Sequence, residues 1–279
     1  EAMLQQTQVA RVVPRYEAFL RRFPDAATCA AATPGEVVRM WDGLGYNRRA
    51  VNLHRSAVAI VERHDGRVPA DLAALLALPG VGPYTARAVL AFAFEAHHGV
   101  LDVNAGRMLA RIGGRPLAPR EAQRRADELV PTGRVWEWNQ AVLDLGATVC
   151  IRRHPRCEEC PVAAACAWRG QGHPVPDPAA TSAAAGRPQS RFEGSDRQLR
   201  GRVIAVLRSG PADATEVGSG DRRTGRILDA LVGDGLVERL AGGRVALAGL
   251  ADEVGDQAVD DGGLLDVEEV PGVVDDLDP

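Results

Sequence analysis

The sequence lacks lysine altogether, so each of its basic residues is one of 33 arginines. Aromatic residues make up only 4%, so aliphatic side chains must fill the core, and the abundance of alanine favours helix over strand. No run of about 18 apolar residues is present, which argues against a membrane-spanning helix. A secretory signal pattern is also missing. The chain opens at Glu1 without an initiator Met, within a helix-like pattern, so we expect its natural start to lie upstream.

The charge of the chain is divided between its two parts. Residues 1–175 carry 22 Arg against 17 acidic residues, whereas residues 176–279 carry 11 Arg against 20, for a formal net charge of −4. The arginine fork suits phosphate, so the first part is compatible with a nucleic-acid partner and the end of the chain is not.

The pattern of apolar residues and turn residues predicts four segments. Apolar residues at helical spacing predict an all-α domain over residues 1–170, with helices at 3–19, 51–61, 84–94, 106–112 and 135–145. Residues 171–194 are rich in Pro, Gly and Ala and read as a linker. Two helical patterns and two short strand patterns over 195–250 predict a small winged-helix-like module. Residues 251–279 are strongly acidic and are predicted to be a disordered tail.

Four of the five cysteines are clustered, at Cys150, Cys157, Cys160 and Cys166. Four thiolates within 17 residues indicate a closed metal loop. Disulfides are a weaker alternative for a chain without a secretory signal. Zinc and an iron–sulfur cluster both accept four thiolates, and the spacing alone leaves the two open. Cys29 lies among alanines and is predicted to be a buried core thiol.

A glycine-rich turn opens a helix at residues 78–86. Glycine permits close backbone approach, and the N–H groups at a helix start form an anion site. With the apolar helix before it, the turn is typical of a helix-hairpin-helix that grips DNA phosphate, although such turns also occur without a ligand.

Asp102 immediately precedes another predicted helix. An Asp at this place is commonly an N-cap. The alternative is a carboxylate that stabilises an oxocarbenium-like sugar when a glycosidic bond breaks.

Taken together, six runs stand in the order found in one protein family, and they lie at residues 1–9, 41–46, 78–86, 101–104, 139–147 and 150–166. In this order they resemble the helix-hairpin-helix DNA glycosylase superfamily with its iron–sulfur loop, and within it the adenine DNA glycosylases (the A/G-specific MutY family). The resemblance implies that fold, with one [4Fe–4S] cluster on the four cysteines.

The resemblance also implies catalytic roles. Glu1 matches the acid that protonates adenine, Asp102 the carboxylate that stabilises the sugar cation, and Asn104 its hydrogen-bonding neighbour. Tyr84 stands where lyase-competent relatives carry a Schiff-base lysine. Because a phenol cannot form an imine, we expect base hydrolysis without strand cleavage.

The DNA-binding residues follow from the same resemblance. Gln5 matches the side chain wedged into the base stack and Tyr46 the aromatic ring beside the oxidised guanine, whereas from the residues alone a surface amide and a packed aromatic are the simpler interpretations. The hairpin contributes Gly80, Val81, Gly82 and Thr85.

The function implied is a monomeric cytoplasmic enzyme at the nucleoid that hydrolyses adenine from duplex DNA where it is mispaired with 8-oxoguanine or guanine. Residues 197–249 are too short for the Nudix-like domain by which the family reads 8-oxoguanine. The alternatives are a thymine or uracil mismatch glycosylase and a non-catalytic iron–sulfur DNA-binding protein.

Overall fold

The computed structural model describes residues 1–182 and 191–251; the predicted acidic tail, from residue 252 onward, lies outside the described residues. The chain is mostly helical, and its described residues divide into two compact units. The first contains residues 1–31 and 52–182, and the second contains residues 32–51 and 191–251. No helix in the described ranges has the length and apolar character needed to cross a membrane.

Helices account for the whole of the first unit's regular structure, apart from a 3-10 turn at Ala163–Ala165. Its helices are α1 (Val9–Arg22), α2 (Ala26–Ala31), most of α4 (Arg48–Arg63), α5 (Leu72–Leu76), α6 (Pro83–Ala93), α7 (Val103–Gly113), α8 (Pro119–Glu128), α9 (Val135–Thr148) and α10 (Ala167–Gly170).

Small residues let the helices of the first unit approach closely. A Cβ at Gly99 would lie 2.4 Å from the backbone of Ala126 in α8, and one at Gly146 in α9 would lie 2.8 Å from the Cβ of Asn104 in α7. Leu75, Leu78 and Leu90 pack in the apolar core between α4, α5 and α6. The close approach of α7 and α9 matters for the site, because Asp102 begins α7.

The second unit combines an internal helix with the C-terminal part of the chain. It contains α3 (Pro34–Met40), α11 (Asp196–Arg208), α12 (Thr224–Gly233) and three strands, β1 (Ala212–Asp213), β2 (Val237–Arg239) and β3 (Arg244–Leu247). The strands form an antiparallel sheet in the order β1-β3-β2, in which Ala212 faces Val245 and Val237 faces Leu247.

Helix α3 is built into this second unit by its own sequence. Thr33 and Glu36 form a capping box that starts the helix after Thr33. The N–H of Gly35 donates to the carbonyl of Ala248 at 2.8 Å, and a Cβ at Gly35 would lie 2.6 Å from Leu250. Residues 32–51, which the sequence assigned to the first domain, thus pack with the C-terminal residues.

The helix predictions hold with two differences. The predicted helix over 3–19 begins only at Val9, because Gln6 takes a left-handed φ of 56° and residues 1–7 form turns. The first unit is all helical, as predicted. In the second unit, strand β1 was not predicted, since two residues are too few to show an alternation of apolar and polar side chains. Part of the predicted linker, residues 177–182, instead belongs to the first unit, to which its residues are hydrogen-bonded. Cys29 is buried, as predicted, and burial raises its pKa to about 11.

Candidate active site

The glycine-rich turn joins α5 to α6 as a helical hairpin. Gly80 has a φ of +76°, and a Cβ there would meet the side chain of Asn52 at 2.6 Å, so only glycine fits. The hydroxyl of Ser56 donates to the carbonyl of Pro79 at 2.7 Å and holds the turn from α4. Gly82 is the N-cap of α6, and Pro83 occupies its first turn. The first N–H groups of a helix have no partner within it, so this end of α6 is suited to an anion.

Gln5 lies against the same end of α6. Its amide Nε2 donates to the hydroxyl of Thr85 at 2.8 Å, and Thr85 is buried. The structure therefore brings two of the predicted DNA-binding residues together beside the hairpin turn.

Asp102 is the N-cap of α7, as the simpler interpretation predicted. Its Oδ1 accepts hydrogen bonds from the N–H groups of Asn104 at 2.9 Å and Ala105 at 2.7 Å, and its Oδ2 accepts from the Asn104 side-chain amide at 2.9 Å. These donors fix the carboxylate at the positive end of the helix. An N-cap held in this way is also a fixed anion, so the two interpretations of Asp102 are compatible.

Tyr84 is hydrogen-bonded to one predicted catalytic carboxylate, Glu1, and is influenced by the charge of the other, Asp102. Burial raises the pKa of its hydroxyl, and the negative charges of Glu1 and Asp102 together with a hydrogen bond to Glu1 raise it further. The phenol therefore stays protonated and can donate to Glu1. The structure thus gathers Glu1, Tyr84, Asp102 and Asn104 at one place in the first unit.

Asn139 supports the chain that leads to Asp102, a role that sequence reasoning missed. It is 2% exposed; its Oδ1 accepts from the N–H of Val100, and its Nδ2 donates to the carbonyls of His98 and Val135. The sequence signal for this role was the position of Asn139 on the apolar face of a predicted helix, because a buried side-chain amide there must find hydrogen-bond partners.

Replacing Asn139 with Ala is expected to lower the free energy of unfolding by about 3 kcal/mol, because buried polar groups of the backbone lose their partners. Chemical denaturation measures this change. The neighbouring Gln140, whose amide pairs with Asp144 at the surface, is the control, and Gln140→Ala should change stability by less than about 0.5 kcal/mol. Equal effects of the two substitutions would contradict the supporting role.

Arg107 connects Asn104 to the start of the cysteine loop. Its Nη2 donates to the Asn104 side-chain oxygen at 2.8 Å and to the carbonyl of Gly146 at 2.6 Å, and its Nε donates to the carbonyl of Cys150 at 2.7 Å. A continuous set of hydrogen bonds therefore runs from Asp102 through Asn104 and Arg107 to Cys150.

Arg111 lies one turn further along α7 and organises the cysteine loop itself. It is 2% exposed, and its guanidinium pairs with Asp177 at 2.6 Å and donates to the carbonyl of Ile151 at 2.8 Å. Its Nη1 also lies 3.5 Å from the sulfur of Cys150, and its guanidinium stacks on Trp168 at 4.7 Å. A buried arginine within an apolar helix pattern was the available sequence signal for this role.

All four clustered cysteines line one cavity, together with Arg111 and Trp168. Burial raises the pKa of Cys157, and the neighbouring Cys150, Cys166 and Cys160 raise it further. Within residues 1–182 and 191–251, no group of three or more His, Cys, Asp or Glu side chains is placed to hold a metal ion. The sulfurs thus share a cavity without being gathered around the position of a single ion.

Tyr46 belongs to the second unit. It takes a left-handed φ of 47° in the loop after α3, and the residue is 40% exposed. The hydroxyl of Tyr46 accepts a hydrogen bond from Arg197 at 3.3 Å, and the guanidinium of Arg49 lies 5.6 Å from its ring centre.

Comparison with known proteins identifies the class of protein to which the chain belongs. Residues 1–132 match the family described as HhH-GPD superfamily base excision DNA repair protein. Among solved structures, a thermostable thymine-DNA glycosylase aligns with a TM-score of 0.57 at 27% identity, over 61% of this chain and 81% of that one. A trapped endonuclease III–DNA intermediate aligns with a TM-score of 0.55 at 21% identity, over 62% of this chain and 83% of that one. This alignment shows that the two proteins share a fold. The chain is therefore of the base-excision DNA glycosylase class.

Curated relatives give the particular family. The chain is 43% identical to an adenine DNA glycosylase of Mycolicibacterium smegmatis over 89% of its length and 86% of that protein. It is 39% identical to the adenine DNA glycosylase of Mycobacterium tuberculosis, over 89% of this chain and 84% of that protein. It is 40% identical to the adenine DNA glycosylase of Homo sapiens, over 61% of this chain and 32% of that protein. The chain belongs to the adenine DNA glycosylase family.

Proposed function

We propose that this chain is a monofunctional glycosylase that hydrolyses the N-glycosidic bond of adenine mispaired with 8-oxoguanine or guanine in duplex DNA, acting as a monomer at the nucleoid. The observation that carries the proposal is that Glu1 is hydrogen-bonded to the hydroxyl of Tyr84, whose pKa the negative charges of both Glu1 and Asp102 raise. The names of the relatives support adenine as the base removed.

The proposed reaction uses the two carboxyl groups for different tasks. A base within a duplex is out of reach, so the adenine must first leave the stack. Neutral adenine is a poor leaving group; Glu1 donates a proton to a ring nitrogen, and the bond between that base and the sugar breaks with its electron pair going to the base. Asp102, fixed by three N–H donors, stabilises the cationic sugar until water adds to the anomeric carbon and gives its proton to the Glu1 carboxylate, which restores the acid.

Tyr84 is proposed to hold Glu1 in place. Its raised pKa keeps the hydroxyl protonated, so it donates to the Glu1 carboxyl and cannot act as a nucleophile. With no lysine in the sequence, no lysine amine is available for an imine, which supports hydrolysis without strand cleavage.

Replacing Tyr84 with Phe is expected to lower the single-turnover rate of excision about tenfold, because Glu1 loses one hydrogen bond that orients it. Binding to the same duplex should change less than twofold. The control is Tyr16→Phe, since Tyr16 is 52% exposed on α1. A loss of binding equal to the loss of rate would instead indicate a role in holding DNA.

The hairpin and Gln5 are proposed to hold the DNA. Gly80, Gly82 and Thr85 would offer backbone N–H groups at the start of α6 to a phosphate. Val81, whose N–H donates to the carbonyl of Leu78 at 3.2 Å, would instead shape the turn that the phosphate approaches. Gln5, at the same end of α6, would enter the space left by the extruded base, and Tyr46 would stack beside the opposite base.

We also propose that Cys150, Cys157, Cys160 and Cys166 hold one [4Fe–4S] cluster. A single zinc needs four sulfurs about 2.3 Å from one point. All four sulfurs line one cavity, which supports a single group held by the four cysteines together, and the resemblance to a family with an iron–sulfur loop favours the cluster over zinc. When bound, the cluster would order the loop that accepts hydrogen bonds from Arg107 and Arg111. Iron and sulfide analysis of the purified protein, beside zinc analysis, tests this assignment.

The second unit supports a winged-helix-like interpretation for its C-terminal part. Its elements follow the order α11, β1, α12, β2, β3, and β2 and β3 form a hairpin that pairs with β1. Among the residues that the structure describes in this unit, 32–51 and 191–251, there is one small sheet, which is less than a Nudix-like domain needs.

The test is an excision assay on duplexes in which A lies opposite 8-oxoguanine, G or T, and in which T or U lies opposite G. We expect alkali-labile sites at A opposite 8-oxoguanine and G alone. Excision of T or U instead would establish the mismatch glycosylase alternative. Binding without excision of any base would favour the non-catalytic alternative.

A further inference from the structure

The loop that carries Tyr46 is unusually constrained for a surface loop. Gly43 and Gly45 have φ values of 75° and 66°, and Tyr46 itself takes a left-handed φ of 47°, which a tyrosine adopts only when its surroundings impose it. The indole of Trp41, fully buried, donates to the carbonyl of Gly45 at 3.1 Å. These features fix the backbone from which the exposed side chain of Tyr46 extends.

Arg49 supports the loop from the side of α4. Its Nη2 donates to the carbonyls of Leu44 at 2.9 Å and Gly45 at 3.1 Å. The same guanidinium lies 5.4 Å from the ring centre of Trp41 and 5.6 Å from that of Tyr46, within the range of cation–π attraction. The ring of Tyr46 is thus supported from beneath while 40% of the residue remains exposed.

Helix α11 holds both ends of this loop. Arg197 and Arg208 are eleven residues apart, three helical turns, so they share one face. Arg208 donates to the carboxylate of Asp42 at 2.5 Å and to the side-chain oxygen of Asn47 at 3.1 Å, the residues that flank the loop. Arg197 donates to the Tyr46 hydroxyl. The side chain of Arg208 is only 17% exposed, which strengthens its ion pair.

We propose that Arg208 is a positioning residue for base discrimination. By bridging Asp42 and Asn47, it fixes the ring of Tyr46 in the orientation that stacks on the base opposite the target adenine. The C-terminal module would then contribute to the choice of mispair through the loop it holds. This inference rests on the proposed function of Tyr46 as a stacking side chain.

The experiment measures the ratio of dissociation constants for A·G and A·8-oxoguanine duplexes at one salt concentration. Every protein carries Asp102→Asn, so that the duplex stays intact. Arg208→Met should lower the preference for 8-oxoguanine about tenfold, or about 1.4 kcal/mol, and Tyr46→Ala should do the same. Their combination should lower it no further, because both act through one ring.

Two further variants separate positioning from folding. Arg208→Lys keeps the charge but loses the fork that reaches Asn47, so it should recover part of the preference. Asp42→Asn removes the same ion pair from its other side, at a residue whose side chain is 50% exposed. If Arg208→Met fails to fold, the binding ratio of Asp42→Asn decides whether this ion pair positions Tyr46. Arg239→Gln removes the ion pair with Asp229 at a surface position in the same unit and should leave the ratio unchanged.

An unchanged ratio in both Arg208→Met and Asp42→Asn would overturn the inference, as would additive losses in the double variant. A parent protein without any preference between the two duplexes would overturn it too. The excision assay on the protein with Asp102 intact tests the proposed function and is interpreted separately from the binding ratio. Absence of adenine excision there contradicts the proposed function, whereas the binding ratio still decides the role of Arg208.

Discussion

Replacing Asp102 with Asn is expected to lower the rate of adenine excision by roughly 10³-fold, a loss typical of removing one electrostatic stabiliser of a transition state. Asparagine is as good an N-cap as aspartate, so α7 should keep its start and the protein its stability. What the substitution removes is the negative charge that faces the developing sugar cation. Single-turnover kinetics on an A·8-oxoguanine duplex measure the effect.

The chain offers a matched control in Asp71, the N-cap of α5. Its Oδ1 accepts from the N–H of Ala74 at 2.8 Å, much as the Oδ1 of Asp102 accepts from that of Ala105. Asp71→Asn should leave excision within about twofold of the unchanged protein. If the two substitutions lower the rate equally, Asp102 is an N-cap without a catalytic role.

Replacing Asp177 with Asn is expected to lower the free energy of unfolding by about 2–3 kcal/mol, because Arg111 is left buried without its counter-charge. Asp177 is 28% exposed at its side chain, which keeps the loss below that of a fully buried pair. If the proposed cluster is bound, its iron should also be released faster, since Arg111 contacts Cys150 and the carbonyl of Ile151. Denaturation curves and visible absorbance follow the two effects.

The same pair predicts the acid stability of the protein. Burial opposes the charge of Asp177, but hydrogen bonds from Arg111 and from the N–H of Ala179 hold its pKa below the ordinary value of 3.8. The stability it contributes is therefore present above pH 3.8 and is lost as the pH falls through the lowered value. The Asp177→Asn protein should lack this part of the acid-induced loss. The exposed pair Arg124–Glu128 is the control, and Glu128→Gln should cost less than about 0.5 kcal/mol.

The sequence was sufficient for features that depend on local pattern. The helices containing Tyr84 and Asn139 follow the spacing of apolar residues, and Thr33 with Glu36 three residues later is a capping-box sequence that starts α3. The cluster of Glu1, Tyr84 and Asp102 could be predicted only through the family resemblance, because nothing in the spacing of residues 1, 84 and 102 brings them together.

The supporting role of Arg107 depends on tertiary packing and could not be predicted from the sequence. Arg107 could be a surface arginine by pattern alone; only the close approach of α7 to α9, permitted at Gly146, gives it the carbonyls it binds. Residues 32–51 were assigned to the first domain by chain order. Their packing with the C-terminal residues arises from Gly35, whose missing Cβ leaves room for Leu250.

The most direct test of the central claim is to identify the products. An A·8-oxoguanine duplex would be incubated with the protein, and the mixture analysed by mass spectrometry before any alkali is added. We expect free adenine in amounts equal to an unbroken strand that carries an abasic site, with neither product formed by the Asp102→Asn protein. Strand cleavage before alkali, or the absence of free adenine, would contradict monofunctional adenine excision.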